Sequence, residues 1–324
     1  MQRRDFVSGI AAASVWPFAA RAQQPRPVIG FLSNAYFAQW GDLVEAFRQG
    51  LKEGGYEEGR NVAIEYRFAE GVDAKLPALA AELIQKKVSV IFTSGGLPPT
   101  QVAKAATGTI PVVFVSGNDP VEFGLVKSLS RPEANLTGIS MVASSLGPKQ
   151  LGLLRDLVPK ATTFGLIINP GNPNAKAGTE TLQGVAQAPI QLEVLTASTA
   201  REIDAAFDAL VARKAEGLLL ANDTLLRSHT EQFVALAARH AIPVMYPYPQ
   251  FVVAGGLMSY GTSLTHSNRE AGLYVARILN GAKPGDLPVL QATKFEFFIN
   301  LKTARALGIS IPSGVMAIAD QVID

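Results

Sequence analysis

The chain is predicted to be an α/β protein of two doubly wound parallel-sheet lobes joined by a three-segment hinge. Three observations carry this. β-branched and aromatic runs of strand length alternate with amphipathic stretches of helical spacing along nearly the whole chain. One strand–turn–helix–strand unit, Val88 to Pro120, is answered by a second, Gly217 to Pro249. Matching positions keep a nearly constant offset: Ile110 and Ile242 of the two Ile-Pro-Val entries stand 132 positions apart, and Gly30 and Gly165 of PVIGFLSN and TTFGLIINP stand 135 apart.

In order, Val28 to Ser33 is expected to be a strand, Asp42 to Glu53 a helix with Leu43, Phe47 and Leu51 on one side, and Asn61 to Phe68 a strand alternating Val62, Ile64, Tyr66 and Phe68. A helix over Asp73 to Lys86 follows. Val88 to Thr93 and Pro111 to Ser116 are strands around a helix at Pro99 to Thr107, and a further helix is expected at Val121 to Leu129. Asn135 to Gly138 reads as the first passage between lobes.

The second lobe then takes a helix at Lys149 to Leu157, a strand at Phe164 to Asn169, a helix after Asn174, a strand at Leu192 to Leu195, a helix at Ala200 to Arg213, the repeated unit, and the strand Met258 to Tyr260. Tyr260 to Thr262 reads as the second passage, with a helix at Ser267 to Asn280 returning to the first lobe. Gly285 to Pro288 reads as the third, before the strand Thr293 to Ile299 and the helix Leu301 to Leu307. Residues 23–138 with 262–287 would form the first lobe, and 139–261 with 288–324 the second.

The chain of 324 residues opens Met-Gln-Arg-Arg-Asp-Phe, runs apolar from Val7 to Ala20 and reaches Ala20-Arg21-Ala22, the pattern of an export signal over residues 1–22. Arg3-Arg4 before Phe6 resembles a twin-arginine signal, with a Sec signal as the alternative. The periplasm is the expected location. Removing the signal takes away three arginines and one aspartate, so the full chain's net charge of +2 becomes about zero and nothing calls for nucleic acid. Zero cysteines exclude disulfides, thiolate metal sites and a lipid-bearing cysteine after the signal.

In open α/β sheets ligands bind beyond the carboxyl ends of the strands, where this sequence places small polar turns. The first wall is expected from Ser33, Asn34 and Tyr36, then Ser94 and Gly95, then Ser116, Asn118 and Asp119. The facing wall is expected from Asn169 and Asn172, then Asn222 and Asp223 with Thr224, then Tyr246, Tyr248 and Tyr260. The aromatics Trp40, Tyr36, Tyr246 and Tyr248 would supply burial, and helix N-termini behind Gly95 and Asp223 would favour an anionic group. Ser94, Asp119 and Asp223 also have the helix-capping reading open to them.

His229, His240 and His266 all stand at helix ends, and the chain has no Gly-x-Gly-x-x-Gly, phosphate-binding loop or His-Glu-x-x-His. No catalytic residue, metal or cofactor is expected.

Several stretches together resemble a known family: Asn118-Asp119-Pro120-Val121 with Gly124-Leu125-Val126, Asn135-Leu136-Thr137-Gly138, Asn169-Pro170-x-Asn172-Pro173, Ala254 to Gly261, and Lys294 to Ala304. They are similar to the ABC-transporter substrate-binding proteins of the tryptophan/tyrosine type, which have the type I periplasmic binding protein fold. The resemblance covers nearly all of the chain after the signal. It implies a ligand trapped between hinged lobes and delivery to a permease in the inner membrane. The chain departs from it at Asn222 to Leu226, where related sequences often carry Ala-Asp-Pro-Phe-Phe, and at Pro247 to Phe251, where they carry Glu-Trp-Arg-Glu-Phe.

The expected function is a monomeric solute receptor for a small organic molecule, an aromatic amino acid or aromatic carboxylate. A sensory module for a membrane signalling partner is one alternative, and an exported enzyme using Asp119 or Asp223 as acid or base is a further one.

Overall fold

The computed structural model describes residues 26–141 and 145–324. The export signal expected at 1–22 lies outside them. Among the described residues no helix is long and apolar enough to cross a membrane.

The first sheet has six parallel strands: β1 (Val28–Ser33), β2 (Ala63–Phe68), β3 (Val90–Ser94), β4 (Val112–Ser116), β5 (Leu136–Ser140) and β11 (Leu290–Gln291), in the order β11-β5-β4-β3-β1-β2. Strands β1, β3 and β4 are mostly apolar, and they and β5 are buried because helices cover both faces. On one face lie α1 (Gly41–Glu53) and α10 (Leu264–Leu279), and on the other α2 (Leu76–Gln85) and α3 (Leu97–Ala106). Phe31 and Phe47 anchor the α1 side, with Phe92 stacked on Phe47 at 4.3 Å between centroids.

The second sheet has seven strands: β6 (Thr163–Ile168), β7 (Gln191–Thr196), β8 (Gly217–Leu220), β9 (Val244–Tyr246), β10 (Met258–Thr262), β12 (Phe295–Asn300) and β13 (Gln321–Ile323). Their order is β13-β12-β10-β9-β8-β6-β7. Only the β10–β12 pair is antiparallel. Its helices include α4 (Gly147–Leu157), α5 (Ala175–Val185), α6 (Ala200–Ala212), α7 (Thr224–Ser228), α8 (Thr230–His240) and α9 (Pro249–Val253). The chain ends through α11 (Leu301–Ala306) and α12 (Ser313–Ala317).

Within each lobe the first five strands follow the same spatial order: β2-β1-β3-β4-β5 repeats as β7-β6-β8-β9-β10. The constant offset in sequence is therefore a repeated topology. Each lobe has one switch point, between β1 and β3 and between β6 and β8, where a crevice opens at the strand ends.

The chain crosses between lobes three times, and the crossings differ from the expected ones in position. Residues 136–140 are β5 and pair with β4, so the first crossing begins at Met141. Leu290 and Gln291 pair with Ile139 and Ser140, so the first lobe extends past Pro288 and the third crossing falls at 292–294. The second follows Thr262. The crossings are bonded side by side: the Thr262 hydroxyl donates to the Met141 carbonyl at 3.2 Å, and Ser263 N–H to the Lys294 carbonyl at 2.9 Å.

After the second crossing α10 returns to lie on α1 with the two backbones almost touching. A Cβ on Gly50 would stand 1.9 Å from the Arg269 carbonyl oxygen, and one on Gly272 would stand 2.3 Å from that of Phe47.

The helix expected at Val121 to Leu129 is a run of turns. Gly124 adopts φ 63°, and the N–H groups of Leu125 and Val126 both return to the Pro120 carbonyl, which ends helical propagation. The terminal α12 and β13 and the short α9 were not anticipated. They are too short for periodicity to show.

Candidate functional site

The carboxyl ends of β1, β3 and β4 face those of β6 and β8 across a cleft. Asn34, Tyr36, Trp40, Ser94, Gly95, Gly96 and Asn118 line it from the first lobe. Asn169, Asn172, Asn174, Asn222, Asp223, Thr224 and Tyr248 line it from the second. Leu97, Val115, Met141 and Leu264 supply apolar floor, and Asp73 sits at the rim beside Asn34.

On the first wall the β3–α3 turn is two glycines with φ 101° and 103°. Gly95 has to be glycine for space as well as for φ, since a Cβ there would stand 2.4 Å from Asn34 Oδ1. This turn brings backbone to the cavity edge directly before the N-terminus of α3. The Trp40 indole N–H donates to Ser94 Oγ at 3.2 Å, and Ser94 Oγ donates to Asn268 Oδ1 at 3.3 Å. Asn268 in turn donates to the Leu264 carbonyl, so a buried polar chain fixes the indole. Asn34 Oδ1 is buried without a hydrogen-bond partner among the described residues.

The second wall is organised by Asp223, which is 8% exposed. Its Oδ1 accepts the Leu226 N–H at 2.9 Å and so caps α7, while its Oδ2 accepts Asn169 Nδ2 at 3.2 Å and Asn172 Nδ2 at 2.9 Å. Burial pushes its carboxyl above the ordinary value, and these bonds pull it partly back. The Tyr248 hydroxyl donates to Asn222 Oδ1, and burial raises that phenol well above its ordinary value.

The walls are bonded to each other. Asn118 Nδ2 donates to Asn174 Oδ1 at 2.8 Å, Asn174 Nδ2 to the Gly117 carbonyl at 3.2 Å, and Thr224 Oγ1 to the Gly95 carbonyl at 3.0 Å. The cleft is closed. Among the described residues its lining has no lysine or arginine, and its charged members are Asp73 and Asp223.

Of the residues named from sequence, Asn34, Tyr36, Ser94, Gly95, Asn118, Asn169, Asn172, Asn222 and Asp223 come together on this lining. Five do not. Ser33 is buried beneath it, its hydroxyl accepting the Ala35 N–H. Ser116 supports Asn118 by bonds at 3.2 and 3.3 Å without reaching the lining. Asp119 is exposed and accepts the N–H groups of Val121 and Glu122, a turn cap. Tyr246 is fully buried and stacks on Phe251 at 4.7 Å. Tyr260 lies against Phe295 and Phe297 in its own sheet.

Asn174, Asn268, Asp73 and Met141 were missed as site residues. Asn268 belongs to α10 and Met141 to a crossing, so only the assembled lobes bring them here.

The family model for ABC transporter substrate binding protein matches residues 40–323. A relative, the tyrosine-binding protein of Clostridioides difficile (strain R20291), is 31% identical over 265 residues, covering 81% of this chain and 75% of the relative. Among solved structures, a conserved domain protein from Vibrio cholerae superposes with TM-score 0.84 at 30% identity, covering 92% of this chain and 99% of that one.

An ABC domain from Streptococcus pneumoniae in complex with L-Trp superposes with TM-score 0.83 at 26% identity, covering 92% of this chain and 100% of that one. The ligand-free, open structure of a substrate binding protein with adhesive properties from Clostridium difficile is also 26% identical and covers 92% of this chain and 99% of that one, but its TM-score is 0.68. At equal identity the better fit to the L-Trp complex agrees with the bonds between the walls. The chain therefore belongs to the ABC transporter substrate-binding proteins, in the tryptophan/tyrosine type with the type I periplasmic binding protein fold.

Proposed function

We propose that this protein is the periplasmic solute receptor of an ABC importer. It holds an aromatic amino acid or aromatic carboxylate between its lobes and hands the closed form to an inner-membrane permease, acting as a monomer and changing no bond in its ligand. The observation that carries the reading is the composition of the closed cavity, whose lining combines aromatic rings from both walls, Tyr36 and Trp40 from the first and Tyr248 from the second, with amides, hydroxyls and two carboxylates.

Apolar burial favours the ring. Covering an aromatic side chain of about 150–250 Å² at roughly 25 cal/mol per Å² gives on the order of 4–6 kcal/mol. A charge-assisted hydrogen bond adds about 1.5–3 kcal/mol. Asp223 and Asp73 offer acceptors for an ammonium, and the N–H groups of Gly95, Gly96 and Leu97 are the donors on offer to a carboxylate, since Pro98 and Pro99 in the first turn of α3 have none. The tyrosine-binding relative and the L-Trp complex support the same ligand class.

The test is a thermal-shift panel on the exported protein with L-Tyr, L-Trp, L-Phe, their deaminated carboxylates and non-aromatic amino acids. Stabilisation by aromatic members alone is the expected result. Stabilisation only by non-aromatic members, or by none, would overturn the ligand class.

A further inference from the structure

Arg227 of α7 stands outside the cavity lining yet reaches the first lobe. Its guanidinium carbon lies 4.3 Å from the centroid of the Trp40 ring. Its Nη1 donates to the Gln39 carbonyl at 3.3 Å, and its Nη2 to the two Asp42 carboxylate oxygens at 3.4 and 3.3 Å. Gln39 answers with a bond from Nε2 to the Ser228 carbonyl at 3.0 Å. The Arg227 side chain is 5% exposed, while that of Asp42 is 51% exposed. Trp40 itself is 4% exposed, with its indole N–H tied to Ser94 in its own lobe. One lobe thus fixes the edge of the indole, and the other covers it with a cation.

We infer that Arg227 is a positioning residue for ligand capture: by stacking on Trp40 and pairing with Asp42 it clamps the lobes shut and sets Trp40 as a wall of the cavity, whatever the ligand. This rests on the reading that the ligand is trapped between the lobes. A planar guanidinium suits the role because it stacks on the ring and still donates in its own plane, which an ammonium cannot do. As a bond between the lobes it changes the fraction of molecules in the binding-competent state, and that part of its effect scales apparent affinity by one factor for all ligands. The Asp42 arm is half exposed and therefore weakens with salt, whereas the stacked arm is shielded.

The clamp is testable without a ligand. The chain has two tryptophans, Trp16 and Trp40, so Trp16→Phe in the full chain leaves Trp40 as its one tryptophan. In that background, Arg227→Met and Asp42→Asn are expected to lower the closed-to-open ratio by about tenfold and severalfold respectively. The readout is a red-shifted Trp40 emission and increased acrylamide quenching in ligand-free protein. Arg227→Lys should recover less than half of the wild-type protection. Asp42 is exposed, so Asp42→Asn retains the fold, checked by far-ultraviolet circular dichroism, and stands as evidence even if Arg227→Met unfolds. Equal quenching in wild type and Asp42→Asn would overturn the clamp, as would full protection in Arg227→Lys. Failure of the aromatic panel, with quenching still responding to these variants, would count against the ligand and not the clamp.

Discussion

Asn118 and Asn174 bond across the cleft: Asn118 Nδ2 donates to Asn174 Oδ1 at 2.8 Å, and Asn174 Nδ2 returns to the carbonyl of Gly117, one residue before Asn118. The pair is reciprocal, so the two amides exchange water for a partner in the other lobe when the lobes come together. Asn174→Ala removes both bonds at once. Ligand affinity is expected to fall about tenfold, at about 0.5–1.5 kcal/mol per neutral bond, with melting of the ligand-free protein little changed. Calorimetric titration with the ligand found in the aromatic panel checks this, and unchanged affinity would show that the edge contributes nothing to closure.

Asp223 gives a pH dependence. Its carboxyl is held above the ordinary value by burial, so the folded protein takes up this proton more readily than the unfolded chain. The resulting stabilisation is fully present below the unfolded value of about 3.9 and is lost as pH rises through the raised folded value. Asp223→Asn keeps a good cap for α7 and removes the titration. The melting temperature of wild type minus that of the variant should fall as pH is raised from about 4 to about 7. A difference independent of pH would contradict the assignment.

The α1–α10 contact makes a prediction about the fold. Because a Cβ on Gly272 would stand 2.3 Å from a backbone oxygen, Gly272→Ala forces the helices apart. The expected cost is about 1–3 kcal/mol, read by denaturant unfolding. An unchanged midpoint would mean that the helices pack less closely than described.

Much of this arrangement could be read from the chain. Strands β3 and β4 are β-branched and aromatic runs closed by Ser-Gly, and the repeat of that unit around β8 and β9 marked two lobes with facing edges. Asn34, Ser94, Asn169 and Asp223 follow directly, because each stands at the end of a strand or within three residues past it. What failed did so where one local pattern serves two environments. Asp119 after β4 and Asp223 after β8 are the same motif, but the first caps an exposed turn and the second is buried by Asn169 and Asn172. The tyrosine at the end of β9 turns into the core because side chains alternate along a strand. Trp40 and Arg227 were invisible as a pair, since they are 187 positions apart and meet only when the lobes close.

Tyr246 tests that correction. Its hydroxyl is fully buried with no hydrogen-bond partner among the described residues, and its ring stacks on Phe251. Tyr246→Phe should leave ligand affinity unchanged and raise stability by about 1 kcal/mol, since an unsatisfied buried group is removed at constant shape. A loss of affinity would return Tyr246 to the site.

The central claim is that a small aromatic solute is enclosed between the two switch points. The most direct measurement is a crystal structure of the protein with the small molecule that co-purifies with it, identified by mass spectrometry. The expected result is an aromatic ligand bounded by Trp40 and Tyr248, with its polar groups on Asp223 and the Gly95–Gly96 turn and with the Asn118–Asn174 bond intact. A ligand lodged elsewhere, or seated in this cleft with the lobes apart, would contradict it.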